Sequence, residues 1–123
     1  MDVLVDTHII LWWLNNDKKL NDTHRRILSN KDNLCYISAA TIWEISIKAG
    51  LGKLKINESY LNELKNEGFI ELPIHWTHCH LVKELPMIHS DPFDRLLIAQ
   101  SQIEGLQLLS VDSYIEQYDV KVV

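Results

Sequence analysis

Short apolar runs alternate with stretches that have helical periodicity along this chain. The runs are rich in β-branched residues and end at polar residues or turns, which is typical of buried strands. They predict five strands, at residues 3–5, 34–37, 69–72, 106–111 and 120–123. The stretches between them predict helices at residues 9–14, 22–29, 39–49, 58–66, 75–84, 92–104 and 113–117.

Helix-ending and helix-starting residues support several of these boundaries. The helix at 39–49 is followed by Gly50 and Gly52, and glycine commonly ends helices. At the start of the helix at 92–104, Asp91 suits the N-cap and Pro92 the first helical position. Gly105 follows the same helix. The boundaries of these two helices are therefore the best defined in the chain.

Strands that alternate with helices favour a parallel sheet covered on both faces. No linker rich in proline, glycine or serine divides the chain, and no internal repeat is visible. A chain of 123 residues has the size of one ordinary domain. We therefore predict a single α/β domain, residues 1–123, with four or five parallel strands flanked by helices.

Composition limits the function classes. The net charge of −5 argues against a protein that coats nucleic acid electrostatically, but not against a nuclease, because metal-binding carboxylates contribute negative charge. No signal peptide is visible, and no apolar stretch reaches the length of about 18 residues that a membrane span needs. Cys35 and Cys79 form no disulfide framework. We expect a soluble, cytoplasmic protein with no membrane contact.

Acidic residues stand where a parallel sheet places its ligands. Asp6 directly follows the first strand, and Asp112 follows the strand at 106–111. In open α/β sheets, ligands bind beyond the carboxyl ends of the strands. Asp91 and Asp94 open the helix before that strand, and Glu44 lies in the helix that follows the second strand.

Each of these acids also has a purely structural interpretation. Asp6 and Asp112 could each cap a helix. Asp91 and Asp94 have the spacing of a capping box, and Arg95 could pair with Asp91 across one turn.

Glu44 lies four residues before Lys48, the favoured spacing for a surface salt bridge. Against this interpretation, Glu44 sits between Trp43 and Ile45 in a helix that is apolar on more than one face. A charge at such a position needs a partner.

Several carboxylates that converge on one sheet edge repel one another, so unless some are protonated a cation must neutralise them. Oxygen ligands select magnesium or manganese over zinc. Such ions polarise a phosphoryl oxygen and activate water. The combination of these acids therefore predicts phosphodiester hydrolysis.

Other candidate sites are weaker. The run at residues 75–80 contains zinc-capable side chains without a closed ligand set, and His75, Cys79 and Val82 are expected to share one helix face. The serines have no nucleophile-elbow context, and no phosphate-binding glycine loop occurs. The lysines near the glycines are expected to form a solvated face: Lys48, Lys53 and Lys55. The tryptophans are expected in the core or an interface rather than as base-stacking platforms: Trp12, Trp13, Trp43 and Trp76.

Four stretches, taken together, resemble the PIN-domain family and specifically the VapC-type toxins of type II toxin–antitoxin pairs. They are VLVDTH at 3–8, ISAATIWEI at 37–45, HSDPFDRLLIAQ at 89–100 and LSVD at 109–112. They occur in the family's order, and the resemblance covers nearly the whole chain. It implies the PIN fold and an endoribonuclease that requires Mg²⁺, with Mn²⁺ able to substitute.

The resemblance also implies the site residues and the partners. Asp6, Glu44, Asp94 and Asp112 match the family's four catalytic, metal-binding acids. Asp91 matches a frequent additional acid, and Ser110 falls where a hydroxyl residue often stands near the fourth acid. The family implies an RNA substrate, a homodimer and a cognate antitoxin through which DNA is contacted only indirectly.

Two other functions stay open at this point. The chain could be a PIN-like module that binds RNA or a protein with little or no catalytic activity. It could also be a phosphatase with Asp6 as nucleophile, although that chemistry wants a second acid at position 8, which is His8. The RNA target, the number of metal ions and the identity of the antitoxin are not encoded in a recognisable motif.

Overall fold

A computed structural model of the protein describes all residues from 1 to 123. Its centre is a four-stranded sheet in the order β3-β2-β1-β4, and every neighbouring pair is parallel. The strands are β1 (Asp2–Val5), β2 (Leu34–Ser38), β3 (Ile70–Leu72) and β4 (Gln107–Leu109). The predicted α/β fold with a parallel sheet is therefore confirmed.

Six α-helices surround the sheet. They are α1 (Thr7–Leu14), α2 (Asp22–Ser29), α3 (Ala39–Gly50), α4 (Tyr60–Asn66), α5 (Trp76–Leu81) and α6 (Pro92–Glu104). Two short 3₁₀ turns complete the structure, at Val82–Glu84 and Ile115–Gln117. None of the helices is both long enough and apolar enough to span a bilayer.

The strand β1 lies between two apolar layers, one on each face of the sheet. Val3 and Val5 are fully buried in a cluster that includes side chains of α1 to α4. Leu4, also fully buried, points into a second cluster that contains Leu97 and Ile98 of α6. Alternate side chains of a strand point to opposite faces, so a strand buried on both sides must be continuously apolar. That requirement explains the run Val3-Leu4-Val5.

The helices that carry candidate site residues begin at well-defined caps. The Asp91 side chain accepts hydrogen bonds from the backbone amides of Phe93 (2.8 Å) and Asp94 (3.2 Å), and Pro92 occupies the first turn of α6. The Ser38 hydroxyl accepts from the amide of Ala40 at 3.0 Å and starts α3. The prediction of an Asp91 N-cap is confirmed. Both caps fix where the following acids emerge.

The structure corrects three predicted elements. The strand expected at 120–123 is reduced to a single parallel bridge between Leu108 and Val122. The helix expected at 75–84 ends at Leu81 and continues as a 3₁₀ turn. The helix expected at 113–117 is only the 3₁₀ turn at 115–117. Each of these segments is too short or too tightly turned for a regular strand or α-helix.

Candidate functional site

All four candidate acids stand at the carboxyl edge of the sheet. Asp6 follows β1 directly, and its backbone amide donates to the carbonyl of Leu109 in β4 at 3.0 Å. Glu44 lies in the second turn of α3, and Asp94 in the first turn of α6. Asp112 lies in the loop after β4. The parallel sheet therefore brings together residues that are more than one hundred positions apart in sequence.

The Asp6 carboxylate is buried at 2% exposure and points into the site. Its Oδ2 accepts a hydrogen bond from the Ser110 hydroxyl at 2.8 Å, whereas its Oδ1 is buried without a partner. Asp6 occupies the N-cap position of α1, but its side chain makes no capping hydrogen bond to that helix. An acid with a buried oxygen and no donor is available to a ligand.

Glu44 combines both interpretations that its sequence position allowed. One carboxylate oxygen, Oε2, lies 2.9 Å from the ammonium of Lys48 across one helical turn. The other oxygen, Oε1, is buried and has no partner. The residue as a whole is only 6% exposed. The salt bridge therefore holds one side of the carboxylate and leaves the other side facing the acidic site.

Asp91 and Asp94 have different environments. Asp91 caps α6, but the reciprocal bond of a capping box is absent, since the Asp94 carboxylate instead lies 3.0 Å from Nε2 of His89. Arg95 does not pair with Asp91. It is buried, and its guanidinium donates to backbone carbonyls of the segment 82–89 and to the hydroxyl of Tyr118. The Asp94 carboxylate therefore takes no part in capping α6. Arg95 holds the segment 82–89 in place.

The structure brings His89 into the site, although sequence reasoning did not select it. Its Nε2 lies 3.0 Å from Asp94 Oδ2 and 3.1 Å from Asp112 Oδ2. The potential ligand atoms of these three residues lie within 4.8 Å of one another. That group does not include Asp6 or Glu44, whose charges nevertheless act on Asp94. The only sequence signal was the position of His89 just ahead of the Asp91 cap.

Crowding of negative charge perturbs the two central acids. Burial, followed by the charges of Asp6 and Asp91, raises the pKa of Asp94 from its ordinary value of 3.8 to about 7, while His89 acts in the opposite direction. Burial also raises the pKa of Asp6, and the hydrogen bond from Ser110 opposes that rise. Desolvation and like charges both disfavour an ionised carboxylate. The metal-free protein therefore holds these carboxylates in an unfavourable environment.

The donor set fits a divalent cation. Two buried carboxylate oxygens without partners, Asp6 Oδ1 and Glu44 Oε1, face a cluster of further acids. A cation supplies the missing partner and offsets the repulsion that, after burial, raises the pKa of Asp94. Hard oxygen donors of this kind suit Mg²⁺ or Mn²⁺.

The histidine-rich segment at 75–80 does not assemble a second site. His78 is fully buried; its Nε2 lies 2.8 Å from Glu104, and its Nδ1 accepts from the backbone amide of His75 at 3.0 Å. Cys79 is exposed, and both cysteines are free thiols. His75, at the N-cap of α5, is exposed as well, so the buried residue of this helix is His78.

Two of the four tryptophans are not core residues. Trp12 and Trp13 pack against the apolar cluster around β1. Trp43 is 58% exposed, however, and Trp76 is 94% exposed. Trp43 precedes Glu44 and packs edge-on against the ring of Phe93, at a centroid distance of 5.1 Å. An exposed tryptophan that packs on a half-buried phenylalanine thus lies next to two of the acids in sequence, Glu44 and Asp94.

Comparisons with known proteins agree with this architecture. The sequence model of the PIN domain matches residues 3–121. The fold is similar to the structure of VapBC2 from Rickettsia felis bound to a DNA fragment from their promoter, with a TM-score of 0.74 and 16% identity over 100% of this chain and 98% of that chain. It is also similar to FitAcB from Neisseria gonorrhoeae, with a TM-score of 0.63 and 19% identity over 98% of this chain and 95% of that chain. No curated protein sequence matches the chain.

Proposed function

Because the chain belongs to the PIN-domain family, we propose that it is a metal-dependent endoribonuclease and the toxin of a type II toxin–antitoxin pair. The observation that carries the nuclease assignment is the pair of buried carboxylate oxygens without partners, Asp6 Oδ1 and Glu44 Oε1. They stand in a cluster in which burial, together with the neighbouring negative charges, raises the pKa of Asp94 to about 7. Mg²⁺ or Mn²⁺ is the ligand that this oxygen-rich cluster favours.

The residues of the site would contribute to cation binding in different ways. Asp6 and Glu44 each offer one free oxygen, while Ser110 and Lys48 hold the other oxygen of each carboxylate in place. When bound, the cation polarises the phosphoryl oxygen, activates a water and stabilises the leaving oxygen of an RNA phosphodiester.

Asp94 and Asp112 complete the proposed site. At neutral pH in the metal-free protein, the Asp94 carboxyl carries a proton part of the time, because its pKa is about 7. It gives up that proton as positive charge enters the site, so binding of the cation releases protons. We assign Asp91 to the helix cap, since its Oδ1 already accepts from two backbone amides.

A cleavage assay with matched variants tests this proposal. Labelled single-stranded RNA is incubated with the protein in Mg²⁺, in Mn²⁺ and in EDTA, and with Asp6→Asn and Asp94→Asn. We expect cleavage only with metal, its loss in both variants and an unchanged circular dichroism spectrum. Asp119→Asn, which removes an exposed carboxylate outside the site, is the control.

The outcomes separate the two remaining functions. Full cleavage by both variants, or equal cleavage in EDTA, contradicts the assignment of these acids. RNA binding without any metal-dependent cleavage favours the PIN-like binding module instead.

The proposed partners follow from the chain's charge and surface. The net charge of −5 argues against a chain that coats nucleic acid electrostatically, so we assign any DNA contact to an antitoxin. Exposed apolar side chains such as Trp76 and Met87 offer contact area for that antitoxin or for a second copy in a homodimer. Free cysteines agree with the proposed cytoplasmic location.

A further inference from the structure

We propose that His89 is a positioning residue that donates its Nε2 proton to Asp112, lies in close polar contact with Asp94, and does not itself bind the cation. This inference rests on the proposed metal site and adds a residue that organises it. The ring nitrogen Nε2 lies 3.0 Å from Asp94 Oδ2 and 3.1 Å from Asp112 Oδ2. One imidazole thereby links an acid of α6 to an acid of the loop after β4.

The other ring nitrogen decides between a donor and a metal ligand. The backbone amide of Asp91 donates a hydrogen bond to Nδ1 of His89 at 3.2 Å. A ring nitrogen that accepts from an amide carries no proton, so the proton of the neutral ring resides on Nε2. A protonated Nε2 has no free lone pair for a metal. The loop geometry therefore makes His89 a hydrogen-bond donor to Asp112 and places the same N–H beside Asp94.

The backbone of His89 is held on both sides, which fixes the ring in this position. Its amide donates to the hydroxyl of Tyr118 at 2.7 Å, and its carbonyl accepts from the Arg95 guanidinium at 3.4 Å. The ring also packs against Tyr114, with centroids 5.4 Å apart. Arg95 is buried and anchors the same loop at further carbonyls. The donor is thus preorganised rather than free to rotate away.

The bridge leaves room for a cation on both carboxylates. His89 contacts only Oδ2 of each acid, Asp112 Oδ1 accepts from the Tyr114 amide at 2.8 Å, and a carboxylate oxygen that accepts one hydrogen bond keeps a further lone pair. Hydrogen bonds to ligating carboxylates fix their orientation, and loss of such a partner typically weakens metal binding about 10–100-fold. Without the ring, Asp112 Oδ2 loses its donor and Asp94 loses the polar N–H beside it.

Metal affinity provides the first test. Mn²⁺ binding is measured by electron paramagnetic resonance on the whole protein in the absence of RNA. We expect His89→Ala to weaken Mn²⁺ binding about 10–100-fold, and His89→Gln, whose amide still donates, to recover part of the loss. His80→Ala, which removes an exposed histidine on α5, is the control. Wild-type affinity in a correctly folded His89→Ala variant overturns the proposal.

Spectroscopy provides a second test that a general loss of stability does not imitate. Nitrogen NMR of the metal-free protein should identify the tautomer of His89 with its proton on Nε2. Electron spin-echo spectra of the Mn²⁺-bound wild type should show no signal from a nitrogen of His89 coordinated to the ion. The His89→Ala spectrum should therefore lose no such signal. A proton on Nδ1, or a coordinated nitrogen assigned to His89, overturns the proposal.

These results are distinguishable from failure of the proposed function. If the wild-type protein binds Mn²⁺ but cleaves no RNA, the ribonuclease assignment fails while both tests of His89 still stand. If cleavage occurs and His89→Ala needs no more Mn²⁺ than wild type for half-maximal activity, the inference about His89 fails alone.

Discussion

Replacing Asp94 by asparagine should stabilise the metal-free protein at neutral pH while it abolishes the proposed activity. In the unfolded chain the Asp94 carboxyl loses its proton near pH 4, whereas in the folded protein the carboxyl stays protonated up to about pH 7. The native state therefore binds more protons in this range, and its stability falls as pH rises from about 4 to about 7. Asparagine has the same shape and can accept from His89, but it has no charge to bury.

The size of the effect follows from the shift. The difference between 3.8 and about 7 corresponds to a ceiling of about 4 kcal/mol in the free energy of unfolding. Solvent at the open edge of the site screens this repulsion, so we expect a difference of about 2 kcal/mol at pH 8 and less at pH 5. The variant should be the more stable protein at both pH values, by a larger margin at pH 8.

Urea unfolding followed by circular dichroism measures this difference, with EDTA present to remove metal. Asp119→Asn serves as the control and should follow the wild type at both pH values. With saturating Mn²⁺ the order should reverse, because a ligand at one hundred times its Kd stabilises the wild type by about 2.7 kcal/mol and the variant by less. If Asp94→Asn is no more stable than wild type at pH 8 in EDTA, the carboxyl is not held under repulsion and the reasoning is refuted.

Three further predictions concern other parts of the structure. Arg95→Met should lower the free energy of unfolding in urea by about 3–5 kcal/mol, because several buried carbonyls and the Tyr118 hydroxyl lose their donor; a loss below about 1 kcal/mol would contradict this role. Gly105→Ala should cost about 1 kcal/mol in the same assay, because Gly105 has a φ of 68° and an added Cβ meets no clash, so only the backbone conformation is penalised. Trp43→Ala should raise KM for single-stranded RNA about tenfold with little change in kcat, since stacking of a base contributes about 1–3 kcal/mol; Trp76→Ala is the control, and equal effects of the two would exclude stacking at Trp43.

The fold could be predicted largely because its signals are local. The run Val3-Leu4-Val5 is apolar on both faces, and that pattern alone places β1 in the middle of a covered sheet. The Asp91-Pro92 pair fixes the start of α6 for reasons that involve only the first turn of that helix. The segment at 120–123 has the same composition as a strand, but it reaches β4 only at the end of the described chain and forms one bridge. The composition of a segment does not show how many of its residues form hydrogen bonds with a neighbouring strand.

The acidic residues could be located from the sequence, but their individual environments could not. Strand ends predicted that Asp6 and Asp112 meet at one edge, which depends only on parallel order. The orientation of the Asp6 side chain depends on the Ser110 hydroxyl, which directly follows β4 and is far away in sequence. His89 was missed for the same reason. Its position is set by Arg95 and Tyr118, and no local pattern predicts those contacts.

The hydrogen bond between Ser110 and Asp6 spans 104 positions and has a consequence for the time at which the protein becomes active during synthesis. A nascent chain that ends before β4 already contains Asp6, Glu44 and Asp94, but β1 then has an open edge, and neither Ser110 nor Asp112 is present. The ribosome must therefore release the last part of the described chain before the acidic site can close. The proposed nuclease activity therefore cannot begin before β4 and the loop that follows it have been made.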